Sequence, residues 1–205
     1  MYKGEFFNSI SHLVGAVAAL VGLVIVVVVA ARQGDPWKIV SFSIYGATLF
    51  LLYTFSTLYH SLRGRAKRIF RKLDHLSIYF LIAGTYTPFT LVTLRGDWGW
   101  AIFGIIWGLV IVGIALESLP QQGSRIWSIV VYILMGWLIL VALKPLLQAL
   151  PTGGFIGLLL GGILYTGGLI FYALDTRVQH FHGIWHLFVL GGTASHFVTV
   201  WRFVA

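Results

Sequence analysis

Apolar runs about 20 residues long, separated by short polar breaks, fill this chain from end to end. Coiled as an α-helix at 1.5 Å per residue, a run of that length crosses a hydrocarbon layer roughly 30 Å thick. Seven such runs stand out: Ile10 to Ala31, Ile39 to Leu62, Leu73 to Leu94, Trp98 to Leu116, Ile126 to Leu147, Gly153 to Leu174, and His182 to Phe203. The breaks Gln33-Gly34-Asp35-Pro36, Arg95-Gly96-Asp97, Gln121-Gln122-Gly123 and Pro151-Thr152-Gly153 are turn chemistry, too short to separate domains. The pattern predicts an all-α membrane protein: a single seven-helix transmembrane bundle over residues 1–205. Pro88 and Pro145 are expected to kink spans three and five. Gly153, Gly157 and Gly161, spaced four apart, predict a close helix contact.

Composition agrees with the pattern. The 205 residues are 59% hydrophobic and 10% charged, against about 25% charged in soluble domains, which excludes a soluble core. Twenty-four glycines and 16% aromatic residues suit helices that pack backbone to backbone, with rings at the membrane interfaces. The first run is much longer than the apolar part of a signal peptide and no small-residue cleavage site follows it, so it is read as a span. There is no cysteine. Disulfides, thiolate ligands and a cysteine nucleophile are therefore excluded, and a transition-metal site would have to use His with Asp, Glu or water.

Charge sets the expected orientation. The segment between spans two and three carries Arg63, Arg65, Lys67, Arg68, Arg71 and Lys72, and such clusters stay cytoplasmic. With seven spans the N-terminus is then cytoplasmic and the C-terminus outside. Lys3, Arg125 and Arg177 fall on the same side, while Arg32, Lys38, Arg95, Lys144 and Arg202 fall on the other. The net charge of +8 is juxtamembrane, so topology and anionic lipid account for it without nucleic acid.

In that topology span two ends, and spans three and seven begin, at the inner face. His60, Asp74, His182 and His186 occupy those ends. Imidazoles at membrane depth are costly unless paired or functional. His182 and His186 are four apart and share one helix face, and Ser56 and His60 repeat the spacing. Three imidazoles at one level, with water in a fourth position, form a donor set for zinc. Asp74 is placed to take a proton from that water, and Ser56 to donate a hydrogen bond to the water or an oxyanion. Ser56 beside metal-binding imidazoles is a poorer nucleophile than a positioning group, and no Glu follows His182 as in His-Glu-x2-His, so the base must come from another helix.

The remaining polar residues have plainer readings. His12 and His75 lie near the inner face as partners of the ligands or as alternative ligands. His196 is ten residues past His186, about 15 Å along the helix, too far to share the ion. His180 is expected in a loop. Glu117 and Asp175 are expected to pair with a loop arginine, with a second role as reserve bases.

The segments Ser56-x3-His60, Lys72-Leu73-Asp74-His75 and His182-x3-His186 resemble the signature positions of the haemolysin III branch of the progestin and adiponectin receptor superfamily. Glu5-x2-Asn8-x3-His12-x2-Gly15, Ala83-Gly84-Thr85-Tyr86-Thr87-Pro88 and Leu190-Gly191-Gly192-x3-His196-Phe197 extend the likeness over nearly the whole chain. The resemblance implies seven helices, a cytoplasmic N-terminus and a place in the bacterial inner membrane. It also implies zinc (Zn2+) held by His60, His182 and His186, with Asp74 and Ser56 beside it. Related receptors and alkaline ceramidases suggest hydrolysis of lipid amides, with membrane lipid as the substrate. Two other classes fit the residues: a non-enzymatic sensor or lipid-homeostasis protein with structural zinc, and the pore-forming haemolysin of the family name. A pore would need a polar path, and the outer halves of the spans offer few ionisable groups beyond His196.

Overall fold

A computed structural model describes residues 4–118 and 125–205. Lys3, counted above with the inner charges, and the Gln121-Gln122-Gly123 turn lie outside the described residues. Among the described residues, seven long helices follow one another: α1 (Phe6–Gln33), α2 (Pro36–Ser61), α3 (Gly64–Pro88, continued by a π-helical turn Phe89–Thr93), α4 (Asp97–Ser118), α5 (Ile126–Ala149), α6 (Thr152–Leu174) and α7 (Phe181–Phe203). No strand occurs among the described residues. The first six helices are long and apolar enough to cross a membrane. The seventh matches them in length at 23 residues, but His182, His186, Ser195 and His196 make it more polar.

Local chemistry explains where helices stop. Gly34 ends α1 in the left-handed conformation, with φ 68°, which costs glycine little. Asp35 then caps α2, its Oδ1 accepting from the backbone N–H of Trp37 at 2.9 Å and of Lys38 at 3.3 Å, while Pro36 takes the first helical position. Helix geometry departs from α near both prolines. The π turn follows Pro88, and in α5 a 3-10 stretch (Leu138–Ala142) precedes Pro145. Pro145 offers no N–H to the carbonyl of Val141, and its ring crowds that carbonyl, so α-helical geometry is hard to keep in that stretch. One expectation shifts: the basic cluster from Arg65 to Lys72 lies on the first turns of α3, because that helix begins at Gly64, well before its apolar stretch. Asp74 thus sits inside a helix.

Helices α1, α2 and α3 pack as sequential neighbours, α6 packs on α7, and α7 returns to α1, which brings the first and last helices together. Phe42, Tyr45, Tyr53, Tyr79 and Phe89 fill the interior. The glycine ladder lies in the α6–α7 contact: Gly153 faces Phe203, Gly157 faces Thr199, and Gly161 faces the His196 ring. Apolar side chains such as Val14, Val17, Val21 and Ile111 point outward, as expected for a surface solvated by lipid.

Candidate metal centre

His60 is in the last turn of α2, and His182 and His186 are in the first two turns of α7. The return of α7 to α1 sets these helix ends side by side. The three rings form a triangle with centroid separations of 5.0 Å from His60 to His182, 5.0 Å from His60 to His186 and 4.8 Å between the α7 pair. One nitrogen from each ring lies within 4.8 Å of the other two. His60 and His186 are buried, while His182 keeps a quarter of its side chain exposed, at 25%.

The outward nitrogens are also engaged. His60 Nδ1 meets Glu5 Oε2 at 2.6 Å, His182 Nδ1 meets Asp175 Oδ2 at 2.6 Å, and His186 Nδ1 lies 3.2 Å from the Ser11 hydroxyl. Glu5 is braced by Lys67 at 2.9 Å and Asn8 at 3.0 Å, and Asp175 by Arg125 at 3.1 Å. Burial alone would raise both carboxyls, but hydrogen bonds from His60, Lys67 and Asn8 hold Glu5 well below the usual carboxylate range. His182 and Arg125 hold Asp175 down in the same way. An ionised carboxylate only accepts, so the protons of His60 and His182 sit on Nδ1 and their Nε2 lone pairs face inward.

Those two Nε2 atoms are 3.2 Å apart. Facing lone pairs require a proton or a cation between them. Tetrahedral zinc with nitrogen ligands at 2.0–2.1 Å separates them by roughly 3.4 Å, close to the spacing already present. Carboxylates behind metal-binding imidazoles are the usual means of fixing their tautomer and orientation. The buried triad can hold a metal ion.

Ser56, one turn before His60, is buried, and its hydroxyl has no hydrogen-bond partner among the described residues. Asp74 lies within electrostatic reach of His60 and His182. Ser56, Asp74, His12, His182 and His186 line one end of a cavity of about 110 Å³ whose remaining walls are mostly apolar. The cluster can therefore place a metal, a carboxylate and a hydroxyl at the head of an apolar slot.

The other histidines separate clearly. His12 stacks on His186 at 3.5 Å, with neither of its nitrogens hydrogen-bonded, and lies outside the ligand triad. His75 is 3.6 Å from Glu117, which also accepts from Ser128. His180 precedes α7 in a turn, with φ 70°. Asp175 has the expected arginine but also holds His182, a role that its sequence position does not reveal. Glu5 and Ser11 behind His60 and His186 are likewise invisible to local spacing, since Glu5 is 55 residues from its histidine. The one available signal is the rarity of carboxylates, with only six Asp and Glu in the chain.

The family model described as "Haemolysin-III related" matches residues 1–197. The chain is 46% identical over 203 residues to Hemolysin-3 of Bacillus cereus, covering 98% of this chain and 92% of that protein. It is 44% identical over 199 residues to the Hemolysin-3 homolog of Bacillus subtilis (strain 168), covering 97% and 93%. The human monocyte to macrophage differentiation factor is 26% identical over 203 residues, covering 96% and 83%. With a family match over nearly its whole length and two such relatives above 40% identity, this multi-pass membrane protein belongs to the haemolysin III family.

Proposed function

We propose that this protein is a zinc-dependent hydrolase of lipid amides or related acyl-lipids. Its site would lie at the cytoplasmic face of a bacterial inner membrane, with the N-terminus inside. The observation that carries this reading is the histidine triad at the head of an apolar cavity, with Asp74 and Ser56 in the same lining. His60, His182 and His186 would hold the ion, and Glu5, Asp175 and Ser11 would fix their rings. Zinc supplies a Lewis acid that polarises a carbonyl and acidifies water.

The protein's own groups complete the chemistry. Asp74 accepts the proton of the attacking water and returns it to the amine as the carbon–nitrogen bond breaks, which yields a carboxylic acid and an amine. Ser56 donates a hydrogen bond to the oxygen that gains charge. The apolar lining takes the acyl chain and keeps bulk water out. A second reading, a metal that only ties α2 to α7 in a sensor or lipid-homeostasis protein, draws on the split of the three ligands between those two helices. Pore formation draws only on the names of the Bacillus relatives, and the mostly apolar cavity walls oppose it.

Elemental analysis of detergent-purified protein tests the metal. One zinc per chain is expected, with loss in His60→Ala, His182→Ala and His186→Ala. Zinc-free wild type after zinc supplementation would end the proposal. Mass spectrometry of ceramides and other acyl-amides then tests turnover. Asp74→Asn should keep the zinc and lose at least about a hundredfold in rate. Zinc retained with no turnover of any acyl-lipid, together with collapse of the fold on chelation, would favour the tie.

A further inference from the structure

The cavity has a second polar end. Most of the polar side chains along its walls are satisfied by neighbours: Thr85 donates to Leu81 O at 2.8 Å, Tyr165 meets Thr193 at 2.8 Å, Thr166 donates to Gly162 O at 2.7 Å, and Tyr86 donates to Gly136 O at 3.1 Å. Three buried lining residues retain side-chain atoms without a hydrogen bond among the described residues. His12 and Ser56 are beside the triad, and the third is His196, at Nδ1. His196 is ten residues beyond His186 on α7, about 15 Å deeper at 1.5 Å per residue and near the middle of a 30 Å layer. It also lines a second cavity of about 70 Å³ that shares several wall residues with the first.

The His196 ring is held in one orientation and one tautomer. Its Nε2 lies 2.9 Å from the Leu158 carbonyl, which only accepts, so Nε2 carries the proton and Nδ1 keeps a lone pair. The neighbouring Ser195 hydroxyl donates to Gly157 O at 2.7 Å and pins the same stretch of α7 to α6. The Cδ2–Nε2 edge packs on Gly161, and the ring forms part of the wall of both cavities. The side chain is 8% exposed, and a buried acceptor without a donor is unfavourable in an apolar setting. An intramembrane histidine in that state marks a place where a ligand supplies the missing partner.

We propose that His196 Nδ1 is the hydrogen-bond acceptor for a hydroxyl group carried partway along the apolar portion of an amphiphile that fills this cavity. The inference rests on the cavity being the lipid site of the proposed function and does not depend on the metal. It makes the cavity selective for hydroxylated over plain acyl chains. Zinc content, measured on the same samples, separates a failure of the metal centre from a failure of this subsite.

The test uses purified protein in phosphatidylcholine nanodiscs titrated with three probes: stearate, stearate hydroxylated at mid-chain, and the methyl ether of that hydroxyl. Binding is followed by the fluorescence of Trp137 and Trp185, which line the cavity. The hydroxylated acid should bind roughly three- to tenfold more tightly than stearate, and the ether should lose that gain because it has no donor. His196→Phe keeps a ring of similar size and removes the Nδ1 lone pair without supplying another acceptor, so it should bind all three probes like stearate. Equal affinity of the wild type for the hydroxylated acid and its ether would overturn the assignment. So would a preference that survives in His196→Phe, or the absence of any binding. The ether comparison needs no variant and decides the question even if His196→Phe does not fold.

Discussion

His60 and His182 each turn one ring nitrogen to a carboxylate and the other toward the partner ring, so Glu5 and Asp175 decide which nitrogen is free to bind an ion. Glu5→Gln and Asp175→Asn keep the shape but leave neutral partners that no longer fix the tautomer as firmly. Each should weaken metal affinity by about 10- to 100-fold without abolishing binding, read by competition against a chromophoric chelator. Affinity unchanged in both variants would reduce the two carboxylates to surface ion pairs. The histidines themselves are legible in the sequence, because an imidazole in an apolar run is anomalous and His182 and His186 repeat at a helical spacing. Glu5 and Asp175 are not, because the contact of Glu5 with His60 exists only after α1 and α2 have packed, and Asp175 reads as an ordinary partner for Arg125.

Helix-scale packing depends on small residues at a few points, and the α6–α7 contact is the clearest of them. A methyl group at Gly161 would run into the His196 ring, whereas at Gly162 the nearest atom is in Trp137 at 3.9 Å. Gly161→Ala should therefore destabilise the protein by about 1–3 kcal/mol, and Gly162→Ala should be within about 0.5 kcal/mol of wild type. Thermal unfolding in detergent reads both. If the two variants melt alike, α6 and α7 are not packed as described. Spacing by four makes the ladder visible in the sequence, but only the fold shows that its partner is α7. The start of α3 is hidden from the sequence for a related reason: hydropathy locates the apolar stretch of a helix, and a helix can run past it into water, as α3 does through Arg65, Lys67 and Arg71.

At the scale of the whole molecule, the return of α7 to α1 puts the end of α2 and the starts of α3 and α7 on one face, together with the basic cluster of α3. Orientation therefore determines which compartment the histidine triad meets. If the positive charges stay inside, the exposed quarter of His182 faces the cytoplasm. The absence of cysteine makes this directly measurable, because any thiol introduced is the only one. Arg65 is at the basic end of α3 and Gln148 is at the far end of α5, and both are exposed. In intact cells a membrane-impermeant maleimide should label Gln148→Cys and spare Arg65→Cys until the cells are opened. The reverse pattern would place the triad, Asp74 and Ser56 on the outer face. A cytoplasmic lipid-amide pool would then be out of reach, and the orientation drawn from Arg63 to Lys72 would fail with it.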